Sequence, residues 1–121
     1  AVADYRSAET ASQKLKKNAE ELTLKLVKNP DILLAMTKLK PRPFCAGFAA
    51  ETENHLDHAK AKLKQKKLDI IFANDAGSTF GQDATSVTAY WKEGEKTFTH
   101  SSKEQLARQI LALISTRLQQ R

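Results

Sequence analysis

The stretch that decides the fold runs from Phe44 to Asp75: FCAGFAA at 44–50, ETEN at 51–54, HLDHAKAKLKQKK at 55–67 and LDIIFAND at 68–75. Phe44–Ala50 and Leu68–Ala73 are short apolar runs, which read as strands buried on both faces. Gly47 permits close backbone approach within the first. Between them, from about Asn54 to Lys66, Leu56, Ala59 and Leu63 recur at helical spacing. Strand, helix and strand in that order predict a parallel pair joined by a right-handed crossover.

Toward the N-terminus, Glu21–Val27 (ELTLKLV) sets Leu22, Leu24 and Leu26 against Thr23 and Lys25, an alternation that predicts another strand. Asn29-Pro30-Asp31 reads as a helix start, with Asn29 as the cap, Pro30 in the first turn and Asp31 facing the positive helix end. Ile32, Leu33, Met36 and Leu39 continue that helix until Pro41 and Pro43 stop it. Residues 7–21 are polar and read as a mobile loop.

Toward the C-terminus, residues 76–86 carry Gly77, Ser78, Thr79, Gly81 and Asp83 and read as a loop. Val87–Trp91 and Thr97–Thr99 flank Glu93-Gly94, a hairpin signal. Ser101-Ser102-Lys103-Glu104 reads as a capping box opening a helix to about Gln119, with Leu106, Ile110, Leu113, Ile114 and Leu118 as its apolar stripe. The expected fold class is α/β: a parallel, Rossmann-like three-layer sheet with an added antiparallel hairpin, in one domain spanning 1–121. Ligands of such sheets bind beyond the carboxyl ends of the strands, here Lys28–Asp31, Phe48–Thr52 and Ala73–Asp75.

The chain has 121 residues, enough for one domain and too few for two. With 40% hydrophobic residues it can build a core, which excludes wholesale disorder. No apolar run approaches the roughly 18 residues of a membrane span. The one cysteine, Cys45, cannot close an intrachain disulfide and reads as a small buried hydrophobe. His55, His58 and His100 lack metal spacing. No secretory leader is legible, so a cytoplasmic setting is expected. The opening Ala1-Val2-Ala3-Asp4-Tyr5-Arg6 lacks an initiator Met and reads as the interior of a longer polypeptide.

Charge is concentrated in the first half. Residues 1–67 hold 14 basic and 8 acidic side chains, while residues 68–121 hold 6 of each. That imbalance implies an anionic partner. On the helix over 54–66, Lys62 and Lys66 share one flank of the apolar stripe, and Lys60 and Lys64 the other. Ammonium groups one turn apart repel, and a string of phosphates would relieve them; an ordinary solvated basic face has the same spacing. Lys14, Lys16 and Lys17 lie in the polar loop, where they could close over a phosphate or simply stay exposed. Asn29-Pro30-Asp31 could offer amides to an anion or only cap a helix. Phe48 could stack on a base or fill the core, and Asn74-Asp75 could meet substrate or form a turn. Neither a Walker A motif nor GxGxxG is present.

Taken together, VADYR at 2–6, KLKK at 14–17, LVKNPDIL at 26–33, GFAAET at 47–52, KKLD at 66–69, AND at 73–75 and, more weakly, SSKEQLA at 101–107 resemble phosphopantothenate–cysteine ligase. The similarity is to the C-terminal half of the synthetase part of the bacterial bifunctional coenzyme A biosynthesis flavoprotein. The resemblance implies ligation of 4′-phosphopantothenate to cysteine with CTP as co-substrate. It implies that Asp4, Pro30, Asp31, Ile32, Leu33 and Phe48 meet the nucleotide. Lys14, Lys62 and Lys66 would hold its phosphates. Lys14, Asn74 and Asp75 are the catalytic candidates. Mg²⁺ would bridge phosphates, its protein ligands unassigned. FMN would belong only to a decarboxylase domain outside these residues.

The resemblance further implies a homodimer, a fused decarboxylase domain, and neither nucleic acid nor membrane as partner; the hairpin 87–99, an edge awaiting a partner, is the expected dimer contact. The short segment between KLKK and ELTLKL departs from the family pattern, and the first half of the synthetase is absent, so the 121 residues alone are expected to be weakly active or inactive. Two competing readings remain at this point: a non-catalytic basic α/β module that binds nucleic acid or an acidic protein, and a purely structural dimerisation fragment.

Overall fold

The computed structural model describes residues 2–13, 20–51, 55–75 and 84–121. The chain divides into two compact units, Ala1–Ile32 and Leu33–Arg121.

In the first unit, β1 (Tyr5–Ser7) pairs antiparallel with β2 (Leu26–Lys28), with Arg6 opposite Val27. One further bond extends the ladder at each end, Ala8 N–H to Lys25 O at 2.9 Å and Asn29 N–H to Asp4 O at 2.8 Å. This overturns the strand expected over 21–27 as a member of the main sheet. Leu22 and Leu24 are exposed and outside the ladder. Alternation makes a strand only where one face finds a core, and the three residues of β1 give pairing for three.

The helix expected through Leu39 is shorter. α1 (Ile32–Met36) gives way to tight turns, Lys38 N–H to Ala35 O and Leu39 N–H to Met36 O. Thr37, buried, returns its hydroxyl to Leu34 O at 2.8 Å. Donation from the Thr37 hydroxyl to that carbonyl favours a helix end.

The second unit is built on four strands in the order β3-β4-β5-β6. They are β3 (Ala46–Glu51), β4 (Ile70–Asp75), β5 (Ala84–Trp91) and β6 (Gly94–Ser102). Only β3 and β4 are parallel, with Phe48 opposite Phe72; β4–β5 and β5–β6 are antiparallel. The sheet is therefore mixed, and the hairpin forms half of it rather than an appendage. A two-residue turn, Lys92-Glu93, forces the antiparallel return. A Cβ at Gly94 would meet the Trp91 indole at 3.1 Å, so a side chain there requires the ring to give way. β5 starts at Ala84, so the end of the expected loop is strand, and 76–83 lie outside the described residues.

The crossover helix α2 (His55–Gln65) covers one face of the sheet, where Ala59 and Leu63 pack with Cys45, Ala49, Ile71, Ala73 and Tyr90. The terminal helix α3 (Lys103–Gln119) covers the other, where Leu106 and Ile110 pack on Ile70, Phe72, Val87, Ala89 and Phe98. Three layers result, as the apolar patterns require. Leu118, expected in the stripe of α3, is exposed. Cys45 is a buried free thiol.

α3 is capped one residue later than expected. Ser102 is the N-cap, its hydroxyl accepting from Gln105 N–H, while the Gln105 side chain accepts from Ser102 N–H. With Ser102 as the cap, the box position three residues on falls to Gln105 and not to Glu104. At the other end, the Arg117 guanidinium lies 5.1 Å from the Trp91 ring centre and donates to Glu93 at 3.2 Å. No helix among the described residues is long and apolar enough to cross a membrane.

Candidate functional site

In the first unit the ladder bond from Asn29 N–H to Asp4 O brings Asp4 beside the segment that begins at Pro30. The Asn29 amide donates to Ala3 O at 2.8 Å, and its oxygen accepts from Arg6 at 3.0 Å. Arg6 also donates to Lys28 O. Asn29 is therefore not the helix cap: its side chain is committed to β1, and α1 starts at Ile32. Asp4, Pro30, Asp31 and Ile32 form one neighbourhood at the end of this small sheet. Arg6, which helps hold it together, was not singled out from the sequence. Lys14 lies outside the described residues.

In the second unit Leu33 packs against the core face covered by α2. Gly47 is close-packed by side chains: a Cβ there would come within 2.7 Å of Leu68 Cδ1 and 3.3 Å of Leu33 Cδ2. The backbone approach read from the sequence is thus made by leucines. Phe48 points to the opposite face, 71% exposed, with its ring stacked on Phe72 at 5.2 Å.

The lysines of α2 separate into two flanks. Lys60 leans over the hairpin, 3.9 Å from Glu95 and 5.8 Å from the Tyr90 ring centre. Lys62 and Lys66 occupy the other flank, half-buried, and the bond from Lys66 N–H to Lys62 O at 3.0 Å carries the helical register through Lys66. Because α2 runs back against the strand direction, Lys66 ends near the start of β4. Asn74 and Asp75 are the last two residues of β4, strand residues rather than a turn beyond it. Asn74 is half-buried and paired with Ala50 and Val87; the Asp75 side chain lies outside the described atoms. Ile70 to Asn74 spans roughly 13 Å at strand rise, so the lysine flank and the strand end are separate places on one face-and-edge of the sheet.

A second cluster went unnoticed in the sequence. Asp69 Oδ1 accepts from Arg42 at 3.0 Å and Oδ2 accepts from Cys45 N–H at 2.7 Å, while the second Arg42 nitrogen donates to Lys67 O at 2.6 Å. Its hydrogen bond to the Asp69 carboxylate holds the Arg42 guanidinium above its ordinary range, against a smaller opposing penalty from burial. No group of three or more His, Cys, Asp or Glu able to hold a metal occurs among the described residues.

Fold and placement define an α/β domain with a mixed sheet and basic helix flank. The family model described as the DNA/pantothenate metabolism flavoprotein C-terminal domain matches residues 1–118, and the chain belongs to that family. Among curated relatives, the coenzyme A biosynthesis bifunctional protein CoaBC of Haemophilus influenzae is 48% identical over 122 residues, covering 98% of this chain and 30% of the relative. The same-named protein of Escherichia coli K12 is 44% identical over 124 residues, again covering 30% of its length. The chain thus spans about 30% of the length of these relatives. A crystal structure of the C-terminal domain of CoaBC superposes with a TM-score of 0.76 at 30% identity, over 99% of this chain and 52% of that one. A Streptococcus pneumoniae DNA/pantothenate metabolism flavoprotein, at 22% identity, TM-score 0.74 and coverage of 96% and 60%, shares the fold.

Proposed function

We propose that this chain supplies part of the nucleotide site of a CTP-dependent ligase that joins 4′-phosphopantothenate to cysteine in coenzyme A biosynthesis. Membership of the family, whose relatives are named bifunctional coenzyme A biosynthesis proteins, supports the pathway. The observation that carries the site is the pair Lys62 and Lys66, one turn apart on one flank of α2. Two cations at that spacing suit consecutive phosphates.

The chemistry follows from the poor electrophilicity of a carboxylate. The phosphopantothenate carboxylate attacks the α-phosphorus of CTP, and pyrophosphate leaves. The cysteine amine then attacks the acyl carbon of the mixed anhydride, CMP departs with the P–O oxygen, and the amine loses a proton. Lys62 and Lys66 hold the phosphates of the bound nucleotide, and Lys14 stabilises the charge that develops on the departing pyrophosphate. The resemblance to the family assigns Asp4, Pro30, Asp31, Ile32, Leu33 and Phe48 to the nucleotide. Asn74 and Asp75 serve the acyl centre. Mg²⁺, if bound with the nucleotide, would neutralise phosphate charge, and none of the described residues is assigned as its ligand. FMN plays no part at these residues and belongs to the decarboxylase domain. The working protein is a cytoplasmic homodimer fused to that domain.

The test uses the full-length protein that contains this chain. Pyrophosphate release with CTP, ATP and single-stranded DNA as competing ligands should show a CTP preference that Lys62→Ala and Lys66→Ala each weaken at least tenfold. Equal, steeply salt-dependent binding of every polyanion would instead identify a non-catalytic basic module.

A further inference from the structure

Lys66 stands just past the last residue of α2. A lysine at a helix end ordinarily frays with it, and its ammonium wanders through many rotamers. Here the end is fixed. Lys67 adopts the left-handed conformation, φ 53, with its N–H on Lys64 O at 3.2 Å and the next N–H, of Leu68, on Leu63 O at 2.9 Å. This is the Schellman arrangement, and Leu68 and Leu63 both lie in the same core cluster. The Lys67 carbonyl, one peptide beyond Lys66, accepts from Arg42. Arg42 is seated on Asp69, and Asp69 is bonded to the Cys45 amide at the entrance of β3. Asp69 N–H returns to Cys45 O at 2.9 Å. One guanidinium–carboxylate pair therefore ties together the end of α2, the entrance of β4 and the entrance of β3.

We propose that Arg42, bridging the Asp69 carboxylate and the Lys67 carbonyl, is a positioning residue that holds Lys66 in the orientation in which it meets the phosphates of the nucleotide. The proposal rests on the reading that Lys66 binds CTP. Arg42 brings two donors from two nitrogens in a fixed fork, which a lysine cannot reproduce. Without it the Lys67 carbonyl loses its side-chain donor, that peptide is held only by the Leu68 N–H on Leu63 O, and the Asp69 carboxylate keeps only its bond to Cys45. Arg42 then contributes to binding and not to the chemical step, so its loss appears in KM.

The experiment measures pyrophosphate release in the full-length protein for Arg42→Ala, Arg42→Lys, Lys66→Ala and the double variant Arg42→Ala/Lys66→Ala, with melting temperatures alongside. Arg42→Ala should raise KM for CTP about tenfold, the order of one charge-assisted hydrogen bond, with kcat within about twofold and KM for cysteine unchanged. In the Lys66→Ala background the same change should add nothing to KM. Arg42→Lys keeps the charge, folds if Arg42→Ala does not, and should still raise KM for CTP severalfold. A KM for CTP unmoved by Arg42→Lys or Arg42→Ala, while Lys66→Ala raises it, overturns the positioning role and leaves the nucleotide reading intact. Effects of Arg42 and Lys66 that multiply in the double variant also overturn it. A KM for CTP unmoved by Lys66→Ala removes the assignment of Lys66 itself, and the positioning role with it.

Discussion

Phe48 and Phe72 are register partners on the parallel strands β3 and β4, and their rings stack at 5.2 Å with planes 26° apart, one ring open to solvent and the other among the most buried side chains in the second unit. The same contact therefore has two unequal halves. Phe72→Ala should cost about 3–5 kcal/mol, because it empties a core site between the sheet and α3. Phe48→Ala removes only the stacking and should cost about 0.5–1 kcal/mol, while weakening CTP binding severalfold. Urea unfolding and CTP titration on both variants check the contrast.

Gly47 should not tolerate a methyl group cheaply. Leu68 Cδ1 and Leu33 Cδ2 both press on the position. Gly47→Ala should cost about 1–3 kcal/mol as these side chains are displaced. Leu68→Val, which shortens the nearer one, should make the double variant less destabilised than the sum of the singles, a non-additivity that a double-mutant cycle in thermal unfolding measures.

Lys67 carries the cost of its backbone. A residue with a Cβ in the left-handed region is disfavoured by about 1–2 kcal/mol. Lys67→Gly removes that cost and keeps the carbonyl that Arg42 uses. The melting temperature should rise, by the equivalent of about 1 kcal/mol. Lys67→Val, β-branched, should lower it.

The cap of α3 separates two adjacent serines. Ser102→Ala should cost about 1 kcal/mol, since it removes the acceptor for Gln105 N–H while the backbone N–H of residue 102 still donates to the Gln105 side chain. Ser101→Ala should cost much less, and thermal unfolding of the pair distinguishes the two positions.

Much of the second unit was legible because burial writes itself into composition. LDIIFA at 68–73 and the stripe Leu106–Ile110–Leu113–Ile114 face a core as their spacing indicates, whereas the run at 44–50, expected to be buried on both faces, buries Cys45, Gly47 and Ala49 and leaves Phe48 and Ala50 exposed. The sequence signal failed where pairing, not burial, decides. The alternation at 21–27 finds no face to cover, and β1 is too short to carry a hydrophobic pattern at all. The parallel pair β3–β4 and the hairpin were both legible; that the hairpin joins β4 to make one mixed sheet was not, because residue patterns report that a strand is buried but say little of which neighbour it pairs with. Of the candidate site, the lysine flank of α2 was readable from spacing, as was the neighbourhood of Asp4 and Pro30 through the resemblance. The Asn29 lock on β1 and the Arg42–Asp69 pair were not, since each joins residues more than twenty positions apart.

Arg117 leaves one more trace. It sits in the last turn of α3, yet it is bonded to Glu93 and laid against Trp91 at the tip of the hairpin. The end of that helix and the β-turn consequently open together: amides of the final turn should exchange with deuterium at the pace of the hairpin, not at the pace of a loose chain end.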